Sequence, residues 1–273
     1  VLLSAMDPSF DLTSLDEGDT TWSHWSYRDI SKIMREVVRT TKSGSPYTRA
    51  LLADYADFAE TLDGLCKRTA ETTQADFLKL LTPETANELT GAHIHDLVYK
   101  LAFQHLTLEL DQKLTIHGHL PTPSKGKWQD CANRDIWTGT NFTNSQGLCD
   151  VKILLRGSDN PLALGVQLQH RSLRLVLEST KDGNLEPTAL RVLQSGFWFD
   201  FSPGLHGVGS IEYPKRGAED FNRFGNKFLY RSRNLGHKGK EVMTCSEIAD
   251  VLLRFIEHGY KYRERIAEVC FGN

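Results

Sequence analysis

The chain has no run near the about 18 consecutive apolar residues that a spanning helix requires, and its opening VLLSAMDPSF lacks the basic start and long apolar core of a secretory leader. Its five cysteines (Cys66, Cys131, Cys149, Cys245, Cys270) are odd in number, scattered and without a C-x-x-C. That usage suits reduced thiols in a cytoplasm better than a disulfide framework, which makes the Asn141-Phe-Thr143 sequon irrelevant. Neither sign of charge dominates: the net charge of −3 gives no whole-chain pull towards nucleic acid or membrane. Phosphate-binding loops of the G-x-x-x-x-G-K-[ST] and G-x-G-x-x-G types are missing, as is a G-x-S-x-G nucleophile elbow. HGVGSIEYP has glycines without the fingerprint. No internal repeat or low-complexity segment occurs. Five residues precede Met6, and starts at Val1 and at Met6 both stay open.

What remains is an ordinary globular composition, 40% hydrophobic and 25% charged, in 273 residues, enough for one large domain or two smaller ones. The first part reads as helices. Ser23 or Ser26 is placed to cap YRDISKIMREVVRTT, and the KSGSP break precedes a helix from Pro46 with Leu51, Leu52, Tyr55, Phe58, Leu62 and Leu65 on one stripe. A further helix is expected over 74–81. Thr82-Pro83-Glu84 then starts another, which Gly91 interrupts and which runs on through Leu97, Leu101, Leu106 and Leu110. KLTIHGHL reads as a strand, 121–146 as a long polar loop of the functional kind, and 148–155, 162–169 and 172–179 as strands. A short helix over 187–194, a strand at FWFDFS and a closing amphipathic helix over 245–269, capped by Ser246, complete the order. The expected architecture is α/β or α+β, a mixed central sheet with flanking helices. The expected division is an N-terminal helical region over 6–81 and a sheet domain over 82–273.

The chemistry concentrates between Gly147 and Lys181. Asp150 sits among Leu148, Cys149, Val151 and Ile153 in GLCDVKI, and an ionised carboxylate inside a sheet is costly unless paired or metal-bound. The next strand, LALGVQLQ, ends in Gln167-Leu-Gln169, and the one after, LVLESTK, carries Glu178 and Lys181. With these residues and this element order, the region from Glu84 to Val269 resembles the PD-(D/E)XK nuclease-like superfamily, especially its poorly characterised bacterial and phage branches. The resemblance implies a restriction-endonuclease-like core of a helix, three strands, a helix and a strand. It also implies an acid in mid-second strand and an acid plus a lysine ending the third. Asp150 matches the first acid. Gln167 and Gln169 stand where Glu-x-Lys is expected, so the motif is relaxed or dead.

By that resemblance, activity would be phosphodiester hydrolysis dependent on Mg2+ or Mn2+, with Asp150 and Gln167 as metal ligands and Asp150, Gln167, Gln169, Glu178 and Lys181 as the catalytic set. A neutral amide supplies no charge to a hard cation, so affinity would fall. Glu178 and Lys181 are the rescue if their strand is the third core strand, and Asp96 or Glu88 could add a carboxylate. Bland readings stand beside these. Asp150 could pair with Lys152 or Arg171, Q-x-Q could be the polar face of an edge strand, and Glu178 with Lys181 could be a strand end before the Lys181-Asp182-Gly183-Asn184 turn. His117-Gly-His119, even with Cys131 and Cys149, lacks the paired spacing of a zinc site, and His93 and His95 point apart on a helix.

Charge is unevenly spread: acids outnumber bases between Met6 and Leu65, and the reverse holds between Pro214 and Lys240. There Lys215, Arg216, Arg223, Lys227, Arg231, Arg233, Lys238 and Lys240 interleave with Tyr213, Phe221, Phe224, Phe228 and Tyr230. That pattern suits phosphate contact and base stacking; the bland reading is a solvated face with core aromatics. The functional expectation is a cytoplasmic, nucleic-acid-engaging protein. Its named candidate contacts are Lys215, Arg216, Arg223, Lys227, Arg231 and Arg233, with DNA ahead of RNA, no membrane, and a homodimer or partner protein as further options. A nuclease role in restriction or phage defence follows the family's habits. The alternatives are a degenerate nucleic-acid- or protein-binding regulatory module, and a helical interaction factor with a merely structural sheet.

Overall fold

The computed structural model describes residues 26–41, 45–119, 121–123, 128, 135–143, 146–155, 161–181, 183–212, 221–236 and 242–272. The chain forms two compact units, 1–71 and 72–273.

In the first unit, α1 (Tyr27–Thr40) starts at a capping box. Ser26 accepts from the Asp29 backbone, and Asp29 reaches back to the Ser26 backbone, so two otherwise orphaned amides are satisfied reciprocally. Arg35 forks between Asp57 and Glu60 of α2 (Pro46–Leu80), at 2.6 Å to each. All three are exposed, so the network contributes little stability. Past residue 71 α2 belongs to the second unit, and there the two helices expected between Pro46 and Leu81 run together across a break. At Asp76 the backbone leaves helical geometry (φ −160°, ψ 93°). There the Asp76 carboxylate accepts from the amides of Lys79 and Met243, both at 3.3 Å. The side chain thus serves the Lys79 amide, while the Phe77 amide donates outside the helix, to the Met243 carbonyl at 2.6 Å.

The second unit is α+β. Thr82 caps α3 (Pro83–Gly91) with Pro83 in its first turn, and α4 (His95–Ile116) follows. An eight-stranded sheet is built from β1 (Thr122–Pro123), β2 (Ile136–Thr143), β3 (Gln146–Leu155), β4 (Leu162–Gln169), β5 (Ser172–Ser179), β6 (Ser210–Glu212), β7 (Asn222–Arg223) and β8 (Phe228–Leu235). The order is β1-β2-β3-β4-β5-β8-β6, with β7 also on β8. Among the described residues only β1–β2 is parallel, and the other pairings are antiparallel. The helices α5 (Glu186–Ser195), α6 (Ser202–Leu205), α7 (Cys245–Lys261) and α8 (Arg263–Phe271) complete the unit.

Register sorts the sheet into two faces. One carries Cys149, Val151 and Ile153, then Leu164, Val166 and Leu168, then Leu173, Leu175 and Leu177, all essentially inaccessible. α4 lies on this face, where Thr140 donates to Thr107 at 2.7 Å. α7 lies there too: a Cβ on Gly259 would meet Ile153 and the Trp198 ring. Burying side chains of this size contributes about 1.5–3 kcal/mol each, so this layer holds the unit together.

Several elements depart from the sequence reading. KLTIHGHL is not a strand: its first residues close α4, because the Leu106–Leu110–Leu114 periodicity continues, and Gly118 (φ +80°) ends the turn beyond. The expected 121–146 loop contains β1 and β2. FWFDFS is a bend leading into α6, with Phe199 held at φ +68°. Thr244, not Ser246, caps the closing helix, through a capping box with Glu247, and that helix divides at Tyr262 into α7 and α8.

Candidate functional site: a buried charge cluster on the second face of the sheet

The other face of the sheet is polar at its centre. Successive rows across the strands read Asp150–Gln167–Arg174–Ser232, then Lys152–Gly165–Val176–Tyr230, then Leu154–Ala163–Glu178–Phe228. Residues paired in register point to the same side, so Asp150, Lys152, Gln167, Arg174 and Glu178 all face one way. Gln167 is 4% exposed, and its side chain hydrogen-bonds Asp150.

Lys152 is the centre of the arrangement. Its side chain is 1% exposed, and its Nζ lies 3.2 Å from Asp150 Oδ1 and 2.7 Å from Glu178 Oε2. Glu178 is two strands away, so the lysine must pass over β4. Gly165 permits the crossing: a Cβ there would stand 2.9 Å from both Lys152 Nζ and Val176 Cβ. The Phe228 ring closes the far side, 5.0 Å from the ammonium, and Arg174 lies 4.7 Å over Tyr230. Burial pushes the Asp150 carboxyl above its ordinary range; the Lys152 charge opposes that shift, Glu178 adds to it, and the hydrogen bond from Gln167 offsets a further part.

The remaining candidates fall elsewhere. Gln169, one row beyond Gln167, pairs in register with Leu148 and Ser172 and is half-buried. Lys181 is exposed past the end of β5, where its amide donates to Ser179 Oγ, and it lines a separate recess with Asn184 and Thr188. Arg171 donates to the carbonyls of Leu235 and Gly236. Asp96 pairs with His95, and Glu88 is exposed on α3. His117 contacts Glu257 at 2.6 Å, while His119 packs against Tyr260. Among the described residues no group of three or more His, Cys, Asp or Glu could hold a metal ion. Burial pushes the thiols of Cys149, Cys245 and Cys270 up to about 12, so they are inert at neutral pH. Cys131 lies outside the described residues.

Of the basic stretch, Lys215, Arg216, Lys238 and Lys240 lie outside the described residues. Arg223 pairs with Glu186 at 3.1 Å, and Lys227 donates to the Thr180 carbonyl at 3.5 Å. Arg231 and Arg233 alternate along β8 opposite Leu175 and Leu173. They therefore face away from Asp150, and both line a cavity with Phe199, Asp200 and Phe201. Arg174, which no pattern of bases marked, is the arginine that shares the Asp150 face. Lys152 entered the sequence reading only as a bland partner for Asp150. The isolated Gly165 inside a strand was the available signal that another group approaches closely.

No helix among the described residues is long and apolar enough to cross a membrane. The chain matches no protein family, no curated relative and no solved structure.

Proposed function

We propose that this chain is a catalytically degenerate, nucleic-acid-engaging module built on a nuclease-like sheet. The observation that carries the reading is the position of Lys152. Its ammonium fills the space between Asp150 and Glu178, where a divalent cation would draw on both carboxylates. The donors at hand are two carboxylates and the neutral Gln167 amide. They do not fit Mg2+ or Mn2+ while a buried ammonium occupies their focus, because a hard cation needs charged oxygen ligands and open coordination positions. The cluster reads as a closed ion-pair network that fixes strand register. The engagement of nucleic acid rests on the basic, aromatic-bearing segment ending in β8. The test is affinity for single- and double-stranded DNA and RNA oligonucleotides across a salt series. Binding should weaken with salt, and replacing Arg223, Lys227, Arg231 and Arg233 by Gln should flatten the slope, because counterion release scales with the phosphates neutralised. No binding at low salt, or equal slopes, overturns the reading.

The second reading is a metal-dependent nuclease of restriction or phage-defence type. It is favoured by the convergence of Asp150 and Glu178 on one point, and the restriction-endonuclease-like core belongs to it. Cleavage that requires Mg2+ or Mn2+ and disappears in a folded Asp150→Ala protein decides for it. Full metal-dependent cleavage by that variant removes Asp150 from any mechanism.

A further inference from the structure

We propose that the cavity between β8 and the Gly196–Phe201 bend binds a phosphate monoester, carried by a nucleotide or by the end of a nucleic-acid strand. The choice of ligand rests on the reading above; the pocket itself stands on its own geometry. The cavity measures about 250 Å3 and presents two guanidiniums, Arg231 and Arg233, between the walls of Trp198, Phe199 and Phe201. Planar guanidinium forks match phosphate oxygens bidentately. Arg233 Nε is buried with no hydrogen-bond partner, a donor without its acceptor. Its guanidinium is steadied 5.4 Å over the Phe201 ring. Arg231 is held by a bond from Nη1 to the Phe199 carbonyl at 3.4 Å.

That carbonyl is placed by backbone in an unfavoured region. Phe199 adopts φ +68°, a conformation that bulky residues avoid and that persists where the surroundings impose it, commonly at binding sites. Among the described lining residues Asp200 is the one acid: Oδ1 accepts from both the amide and the hydroxyl of Ser202, at 2.9 and 2.8 Å, and against the cost of burial these bonds, with the nearby His258 and Arg233 charges, hold its carboxyl below the usual range. A second recess of about 560 Å3 shares Phe201 and Arg233 and continues past Leu205, His206 and Val208. It has the mixed polar and apolar lining and the room that a sugar and base require.

The test is titration calorimetry on the full chain at low salt with four probes: a 5′-phosphorylated trinucleotide, its 5′-hydroxyl counterpart, a nucleoside monophosphate and inorganic phosphate. The phosphorylated trinucleotide should bind at least about tenfold tighter than the hydroxyl form, as expected for charge-assisted bonds, and inorganic phosphate should compete. A trinucleotide that outbinds the monophosphate marks a strand end as the natural ligand; equal affinities mark a free nucleotide. Arg231→Gln and Arg233→Gln should each lose about tenfold. Asp200→Asn keeps the acceptor for Ser202 and removes the negative charge that acts on Arg233, so it should bind phosphate more tightly, a gain that misfolding cannot produce. Equal affinity for the phosphorylated and hydroxyl trinucleotides overturns the pocket, as does unchanged affinity in Arg233→Gln together with Asp200→Asn. Long strands that bind without any phosphate-end effect overturn the pocket and spare the nucleic-acid reading. Monoester binding without strand binding does the reverse.

Discussion

Replacing Lys152 by Met removes the ammonium that separates Asp150 from Glu178 and keeps most of the side chain that crosses Gly165. Wild type has two carboxylates around one positive charge with contacts of 3.2 and 2.7 Å; the variant has two carboxylates around none. Removing one partner of a buried pair costs about 3–5 kcal/mol, since the charge left behind is uncompensated. Glu178 keeps some water contact, with 20% of its side chain exposed, so the lower end, about 3 kcal/mol at pH 7, is expected. Asp150 is already held above its ordinary range by burial. Without Lys152 its folded-state value rises further. A folded acid with a raised value takes up protons that the unfolded chain does not, so stability is lost as pH rises through the window between the two values. Urea unfolding of both proteins from pH 4 to 8 should therefore show a penalty that is small at pH 4 and grows towards neutrality. A triple variant, Asp150→Asn, Lys152→Met, Glu178→Gln, should recover most of it. Emptying the focus should also let Mn2+ raise the melting temperature of Lys152→Met where it leaves wild type unmoved. A penalty under about 1 kcal/mol at pH 7, the scale of an exposed ion pair, or one that does not vary with pH, refutes the idea that the three charges form one buried unit.

Two further outcomes follow from the same sheet. Gly165→Ala places a Cβ against Val176 and the lysine crossing; it should cost about 1–3 kcal/mol in urea unfolding, as overpacking does, and a neutral effect would mean that Lys152 does not pass over β4. Burial against α4's partner strand pushes the Asp111 carboxyl up to about 6, with Thr138 offsetting part, so its ionisation opposes folding as pH rises from about 4 to 6. Asp111→Asn should then stabilise at pH 8 by about 1–3 kcal/mol and hardly at all at pH 4, and equal effects at both would refute it.

The strands β3, β4 and β5 were legible because their Val, Ile and Leu runs leave no competing period, and the register opposite Asp150 follows from short connections between them. β2 was not, because IWTGTNFT is rich in Thr, Gly and Asn and reads as loop until a neighbouring strand supplies its hydrogen bonds. FWFDFS misled in the opposite direction: aromatic content suggested a strand, but its conformation is set by ring packing around Phe199 and Phe221, which no local pattern records. The charge cluster was half legible. Asp150 and Glu178 stood out as acids in apolar runs, but their link through Lys152 is diagonal across three strands, and sequence spacing carries no information about a side chain that bridges a glycine.

The order of the strands has a consequence for the newly made chain. β2 to β5 pair with immediate neighbours, so they can close as local hairpins, whereas β8 reaches β5 only after the whole segment between Ser179 and Phe228. Contacts of larger sequence separation form more slowly. Until β8 docks, β5 is an unprotected edge with Leu173, Leu175 and Leu177 beside it, the kind of surface that recruits other chains. Synthesis halted before Phe228 should thus yield a product prone to self-association, and the arginines of β8 arrive with the strand that seals that edge.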